Sequence, residues 1–323
     1  MPRHAPIALL DFPLYPNVGD SAIWLGAMVL AGGNDNRIRY TATHASYTPR
    51  ALARELPADG VIVVQGGGNF GDRWPAHHRL RERVVEDFPD RKIVFLPVSV
   101  EFLGDGAADR SFAALGAHPD LTVMCRDECS VAEVDGHLPG QAVLTTDTAA
   151  ALGDLTPPST TERSEIVALL RTDSEAQRVV APAPTDLTVR VIDWLNVAGD
   201  TGYDPVFERA KRVLQRSGSV LTRTPRIAPK GHQAVLLAAY QAMARRRLQW
   251  GLTNLASARI VVTDRLHGHI LCDLMGMPHV VADSGHGKID GYIATHGRSA
   301  ATRLVTVDEV WHAARDLLPG CAR

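Results

Sequence analysis

Cysteine, lysine and net charge are all scarce in this sequence, and long apolar runs are missing. The four cysteines among 323 residues have no Cys-x-x-Cys spacing, so we expect reduced thiols and neither a disulfide framework nor a zinc site. The formal charge of −2 lacks the basic excess of a nucleic-acid-binding protein, so no nucleic-acid partner is expected. No apolar run approaches the ~20 residues that cross a bilayer, so no integral membrane segment is expected. Asp11 interrupts the first apolar stretch too early for a signal peptide, which favours a cytoplasmic location.

Short apolar runs alternate with helical patterns along the chain. Strands are predicted at 7–10, 61–65, 93–98, 121–125, 143–145, 165–170, 188–192, 259–263 and 279–282. Continuous apolar strands separated by helices indicate buried parallel sheets with right-handed crossovers. The predicted fold class is therefore α/β, with two Rossmann-like domains facing a cleft.

Two irregular segments divide this pattern. The segment 153–163, GDLTPPSTTER, has the Pro, Gly, Ser and Thr content of a linker. We therefore predict an N-terminal domain over 1–155 and a C-terminal domain over 164–323. The second segment, 217–232, carries three cationic side chains and a histidine. It is either a solvated surface loop or a basic lid over an anionic substrate.

Glycine-containing segments follow two predicted strands of the N-terminal half. In Asn17-Val18-Gly19-Asp20, either Asp20 or the following Ser21 only caps the next helix, or Asn17 or Asp20 contacts a sugar hydroxyl or a catalytic group. The run 66–72, GGGNFGD, satisfies Gly-x-Gly-x-x-Gly, but a proline-containing break follows and the next strand ends without a carboxylate. A dinucleotide site is therefore not expected. The run would instead let the backbone approach a small anionic or sugar ligand through Gly67, Gly68 and Asn69.

Cationic and imidazole groups follow other strands. Asp127 would cap a helix or orient Arg126 beside it. The segment 263–269, TDRLHGH, brings Arg265, His267 and His269 to a strand end and a helix N-terminus. That combination suits a phosphate or carboxylate and leaves a histidine for proton transfer. His269 either joins this site or is a buried structural histidine, and the spacing of the two histidines does not suit a zinc pair. Lys288, one of only four lysines, stands in a glycine-flanked loop and would add a compact charge for phosphate.

In their order along the chain, these segments resemble the polysaccharide pyruvyltransferase family. The resemblance is carried by NVGDSAI at 17–23, GGGNFGD at 66–72, CRDECS at 125–130, TDTA at 146–149, TDRLHGHI at 263–270 and SGHGKIDGY at 284–292. Arg-Leu-His followed about twenty residues later by a lysine is its most specific part. The resemblance covers nearly the whole chain, and it implies two Rossmann-like domains arranged as in GT-B glycosyltransferases.

The resemblance also implies transfer of a pyruvyl group from phosphoenolpyruvate to two saccharide hydroxyls, forming a cyclic ketal. No step of that transfer requires a metal or redox cofactor. The C-terminal domain would be the phosphoenolpyruvate side and the N-terminal domain the acceptor side. A lipid-linked acceptor would place the protein at the inner face of the membrane. The residues matched to the donor site are Arg265, His267, Leu266 through its backbone, Arg126, Lys288 and, more loosely, Arg171. His267 is the predicted acid and base, with Asp20 and Asp127 as weaker candidates for accepting a hydroxyl proton.

Two other functions stay open. A GT-B-like glycosyltransferase or another nucleotide-sugar enzyme would share the architecture, but a carboxylate for the ribose is not evident beside RLHGH. A non-catalytic sugar-binding protein would not need the charges of Arg265 and Lys288 together with His267. Phosphoenolpyruvate carries a carboxylate and a phosphate, which converging arginine and lysine side chains suit. The leading hypothesis is therefore a ketal-forming pyruvyltransferase.

Overall fold

The computed structural model describes residues 3–160, 164–172, 180–194, 231–282 and 287–318, and the chain divides into two compact units. The described residues of unit one lie within 3–15, 22–151 and 231–244. Those of unit two lie within 16–21, 152–160, 164–172, 180–194, 245–282 and 287–318. Each unit contains one parallel sheet with helices, which confirms the predicted α/β class.

The sheet of unit one consists of seven parallel strands. They are β1 (Pro6–Leu10), β2 (Arg37–Ala42), β3 (Val61–Val64), β4 (Gly67–Phe70), β5 (Ile93–Val100), β6 (Leu121–Cys125) and β7 (Ala142–Leu144). The order is β2-β1-β3-β5-β6-β7, with β4 paired to β5. Because β1 lies between β2 and β3, the winding of the chain reverses at β1 and β3. In doubly wound sheets, ligands bind beyond the carboxyl ends of the strands at such a switch point.

The helices of unit one begin at residues suited to the first turn. They are α1 (Val18–Gly33), whose first turn belongs to unit two, α2 (Pro49–Glu55), α3 (Pro75–Asp87), α4 (Ala107–Gly116) and α5 (Glu128–His137), followed by a 3₁₀ helix at Thr148–Leu152. Proline opens α2 and α3, where its missing N–H has no helical partner in any case. Apolar residues of the central strands, Ile62 and Phe95 among them, are fully buried between the sheet and these helices.

Among the described residues of unit two, five parallel strands form the sheet. They are β8 (Ser164–Leu169), β9 (Val189–Ile192), β10 (Ala258–Thr263), β11 (His279–Ala282) and β12 (Thr302–Val305), in the order β12-β11-β10-β8-β9. The helices are α6 (His232–Ala256), whose last turns belong to unit two, α7 (Leu266–Leu274), α8 (Lys288–His296) and α9 (Val310–Leu317). The switch point here lies between β8 and β10, because β9 and β10 follow β8 on opposite sides.

The predicted strands all form, with ends that differ by at most two residues. Strands β2, β4 and β12 were not predicted from the sequence. Of these, β4 lies within the glycine run, where 67–70 pairs with β5. Residues 217–230, most of the segment interpreted as either a surface loop or a basic lid, lie outside the described residues. Among the helices that the structure describes, none combines the length and the apolar character needed to span a bilayer.

Candidate functional site

The carboxyl end of β10 carries the Arg-Leu-His segment to the switch point of unit two. Thr263, the last residue of β10, accepts a hydrogen bond from the backbone N–H of Arg265 through its Oγ1 at 3.1 Å and donates one to the carbonyl of Leu169 at 3.0 Å. Arg265 has extended backbone and precedes α7 directly. Thr263 thereby fixes the turn between β10 and α7 against β8.

A buried ion pair holds the Arg265 side chain. Its Nη2 lies 2.5 Å from Oδ1 of Asp193, and both side chains are at most 5% exposed. Asp193 follows β9 directly, and its Oδ2 accepts hydrogen bonds from the backbone N–H and the hydroxyl of Thr172. Asp193 was not predicted as a site residue, because it stands in no recognisable motif. The pair fixes the plane of the guanidinium at the carboxyl edge of the sheet.

The neighbouring Asp264 binds the chain after β8. Its carboxylate accepts a hydrogen bond from the backbone N–H of Arg171 at 2.9 Å. Burial raises the pKa of Asp264 to about 6, and the charge of Arg265 opposes that rise only in part. Asp264 therefore places Arg171, a predicted donor residue, at the same strand ends as Arg265.

His267 lies on the first turn of α7 and packs against the first turn of α1. A Cβ on Gly19 would lie 2.5 Å from His267 Nδ1, so the imidazole occupies space that only glycine leaves. Oδ1 of Asn17 accepts the backbone N–H of Gly19 at 2.9 Å and that of Asp20 at 3.3 Å. Asn17 therefore caps α1. All of these residues belong to unit two, so two predicted motifs from distant parts of the chain meet at His267.

The remaining predicted donor residues of unit two occupy different environments. Leu266 is buried as the first residue of α7. His269 is buried on the same helix with its Nδ1 2.8 Å from Nε2 of His279, which favours the structural alternative. Burial, helped by His279, lowers the pKa of His269 to about 4. Lys288 begins α8 directly after Gly287, whose φ of 69° favours glycine. Like Arg265, Lys288 comes after the carboxyl end of a strand, which in this case is β11.

In unit one, Arg126 takes part in a second buried network. Its Nη1 donates to Oδ2 of Asp147 at 2.7 Å and its Nε donates to Oγ of Ser99 at 2.9 Å. Ser99 donates in turn to Asp127, whose other carboxylate oxygen accepts the backbone N–H of Ser130 at the start of α5. Asp127 therefore caps α5 and orients Arg126 through Ser99. Asp147 belongs to the TDTA segment, but its pairing with Arg126 was not predicted from the sequence.

The predicted acceptor residues of the glycine run lie in β4. Gly67 has a φ of 111°, and Gly68 is half-buried. Asn69 accepts hydrogen bonds from the buried guanidinium of Arg81 through its backbone carbonyl at 3.1 Å and its side-chain oxygen at 2.7 Å. The Asn69 side chain thus anchors β4 to α3.

Two clusters of described residues have the composition of a metal site: Asp11, His44 and His77 in unit one, and His269, Asp273 and His279 in unit two. Neither was expected from the sequence. Burial alone would raise the pKa of Asp11, but His77, His44 and the charge of Arg81 outweigh it and hold that pKa well below its usual range. The carboxylate of Asp11 is therefore ionised.

Comparison with known proteins agrees with the motifs. The family model for polysaccharide pyruvyl transferase matches residues 17–286. Pyruvyl transferase 1 of Schizosaccharomyces pombe is 31% identical, over 94% of this chain and 73% of the relative. EpsO of Bacillus subtilis, provisionally named a pyruvyl transferase, is 27% identical over 94% of this chain and 90% of the length of EpsO.

A solved structure supports the fold. A Klebsiella pneumoniae protein of uncharacterised function superposes on this structure with a TM-score of 0.58 and is 15% identical in sequence. The superposition covers 94% of this chain and 93% of the Klebsiella chain. At that identity the likeness concerns the fold alone. The family match spans most of the sequence and includes the segments at Asn17 and at His267 that meet in unit two. The chain therefore belongs to the polysaccharide pyruvyl transferase family.

Proposed function

We propose that this protein transfers the pyruvyl group of phosphoenolpyruvate to two hydroxyls of a saccharide and forms a cyclic ketal, in the cytoplasm and without a redox cofactor. The observation that carries the proposal is the position of Arg265 and His267 at the switch point of unit two, with Arg171 and Lys288 at the same sheet edge. The proposal includes a GT-B-like arrangement, with the donor on unit two and the saccharide on unit one.

Donor binding follows from charge and geometry. Phosphoenolpyruvate presents a carboxylate and a phosphate on three carbons, and a guanidinium held in one plane recognises either group through two N–H donors. Asp193 supplies that orientation for Arg265. The backbone N–H groups in the first turn of α7 add positive potential. Lys288 then serves as a compact charge for phosphate.

Chemistry is assigned to His267, which is half-buried at the same helix start. In the imidazolium form it protonates the methylene carbon of phosphoenolpyruvate, which makes C2 electrophilic. One saccharide hydroxyl adds to C2 and gives its proton to the neutral imidazole. The C2–O bond to phosphate then breaks, the second hydroxyl closes the ketal, and its proton leaves with the phosphate. Acid-base catalysis by one such group contributes ~10²–10⁴-fold. Asp20 follows Gly19 in the first turn of α1, against which His267 packs, and is a sequence candidate for assisting the hydroxyl proton.

The test is binding of phosphoenolpyruvate by calorimetry, beside a panel of nucleotide sugars. Arg265→Lys keeps a positive charge but loses the planar fork, so we expect affinity for phosphoenolpyruvate to fall at least about tenfold. The matched control is Arg315→Lys, since Arg315 also pairs with an aspartate, Asp186, but on the surface of unit two. This control should bind as the wild type does.

The nucleotide sugars decide between the two enzyme classes. The alternative of a GT-B-like glycosyltransferase is not favoured by the family match. Binding of a nucleotide sugar with no binding of phosphoenolpyruvate would nevertheless overturn the proposal. For the chemical step, His267→Ala should keep donor affinity within several-fold and lose most of the phosphate release, and unchanged release would remove His267 from the mechanism.

A further inference from the structure

Asp11, His44 and His77 meet at the switch point of unit one. Asp11 follows β1 directly, His44 lies in the turn after β2, and His77 lies on the first turn of α3. His77 Nδ1 lies 2.8 Å from Oδ2 of Asp11, and His44 Nδ1 lies 3.4 Å from Oδ1 of the same carboxylate. All three ligand atoms are within 4.8 Å of one another. The cluster therefore occupies the position of unit one that corresponds to the Arg265 site of unit two.

Two atoms of this cluster are left without a hydrogen bond. Oδ1 of Asp11 and Nδ1 of His44 are both buried, and among the described residues neither has a hydrogen-bond partner. The Asp11 side chain has no solvent exposure at all. At 3.4 Å the two atoms are too far apart for a good hydrogen bond to each other, and buried polar atoms without one cost free energy unless another group binds them. Both atoms are therefore candidate ligands for a bound ion.

In the second cluster of the same composition, the corresponding atoms are hydrogen-bonded. His269 Nδ1 contacts His279 Nε2, and His279 Nδ1 donates to the carbonyl of Met277 at 2.8 Å. Asp273 Oδ1 accepts from the hydroxyls of Ser299 and Thr302. The network in unit two is thus satisfied by protein groups, and both of its histidines are closed to solvent. His44, in contrast, is 32% exposed and gives solvent a route to the cluster in unit one.

We propose that Asp11, His44 and His77 bind a divalent transition-metal ion of the Zn²⁺ type. Two imidazoles and one carboxylate form a ligand set for Zn²⁺ and its neighbours in the first transition row, whereas Mg²⁺ and Ca²⁺ prefer oxygen ligands. Ligand atoms ~2.0–2.1 Å from a tetrahedral ion lie about 3.3 Å apart. Oδ1 of Asp11 and Nδ1 of His44 are 3.4 Å apart, which is already close to that value. Oδ2 of Asp11 and Nδ1 of His77 are 2.8 Å apart. That second distance needs to lengthen by only about half an ångström.

Three protein ligands leave a coordination position for an exchangeable oxygen ligand. Water or an alcohol bound there loses its proton more readily than in solution. If unit one holds the saccharide, that position would take an acceptor hydroxyl. This use rests on the proposed function, but the metal site itself does not.

The experiment measures metal binding on the full chain after chelator treatment, with neither phosphoenolpyruvate nor saccharide present. Co²⁺ is titrated while its d–d absorption is recorded, and Zn²⁺ is then added as a competitor. We expect one Co²⁺ per chain, an absorption intensity typical of low coordination number, and displacement by Zn²⁺. His44→Gln should weaken binding at least about 100-fold, since it removes a ligand rather than a supporting group.

The matched control is His137→Gln, because His137 is 29% exposed and lies elsewhere in unit one on α5. It should leave the titration unchanged. Asp11→Asn, which keeps the shape of the side chain, should weaken binding as His44→Gln does. The proposal is overturned if the wild type binds no Co²⁺ stoichiometrically, if His44→Gln binds as tightly as the control, or if His279→Gln abolishes binding while His44→Gln does not.

Discussion

Replacing Gly19 by alanine would displace His267 without touching its chemistry. The added Cβ would lie 2.5, 2.6 and 2.7 Å from Nδ1, Cγ and Cβ of His267, where ordinary contacts begin at 3.4 Å. Gly19 has no positive φ, so the backbone accepts alanine and the imidazole must move by roughly an ångström. A displacement of that size costs about 10²-fold in rate when the group is catalytic. Overpacking costs ~1–3 kcal/mol, and alanine recovers up to ~1 kcal/mol of helix propensity.

The assay is release of inorganic phosphate from phosphoenolpyruvate, with a saccharide that supports wild-type turnover, beside donor affinity from calorimetry. We expect turnover of Gly19→Ala to fall about 10²-fold while donor affinity changes by only several-fold. Gly32→Ala is the control, since Gly32 lies near the other end of α1 and a Cβ there meets nothing within 4 Å. It should keep full turnover. Turnover of Gly19→Ala within twofold of this control would refute the catalytic placement of His267.

Three further substitutions test the charged networks. Asp147→Ala leaves the Arg126 charge buried and uncompensated. Urea titration should therefore show that the free energy of unfolding falls by about 3–5 kcal/mol. A fall of less than about 1 kcal/mol would contradict the buried ion pair. Asp264 has a pKa raised from 3.8 to about 6, so the folded state holds its proton more tightly and the free energy of unfolding should fall by up to about 3 kcal/mol as pH rises from 4 to 7. Asp264→Asn should remove that decline, and an unchanged pH dependence would contradict the burial of this carboxyl. Asp193→Asn should lower affinity for phosphoenolpyruvate in calorimetry by about tenfold, because Arg265 loses its orienting charge, and unaltered affinity would show that the pair does not position the donor site.

The strands could be predicted because parallel strands buried on both faces consist of continuous apolar residues. Strand β2 escaped prediction since its first half, Arg37-Ile38-Arg39, is charged and partly exposed. Strand β4 escaped because glycine has low strand propensity. Its pairing depends instead on neighbouring β5, which approaches the backbone of Gly67.

The chemistry at the strand ends could be predicted only in part. Strand ends followed by Arg126 and Arg265 were recognisable, because polar groups at the carboxyl edge of a parallel sheet are exposed to ligands. Their carboxylate partners were not, since Asp147 and Asp193 come from other strands and no spacing relates them to the arginines. The same holds for Gly19 and His267, whose contact depends on tertiary packing. His269 was ambiguous, because only the packing of α7 decides that it is directed to His279.

The two buried arginine pairs bear on function more than on stability. Bringing two charges out of water costs several kcal/mol per ion, and apolar replacements are often as stable. Stability alone therefore gives little reason for such a pair at the carboxyl edge of each sheet. A guanidinium fixed before the ligand arrives does not have to be ordered during binding, which preserves affinity for an anion. In both units the aspartate comes from the end of another strand, and Ser99 and Thr172 make further contacts with the paired groups. These additional hydrogen bonds constrain the position of each guanidinium more tightly than charge neutralisation requires. We conclude that both pairs orient their arginines.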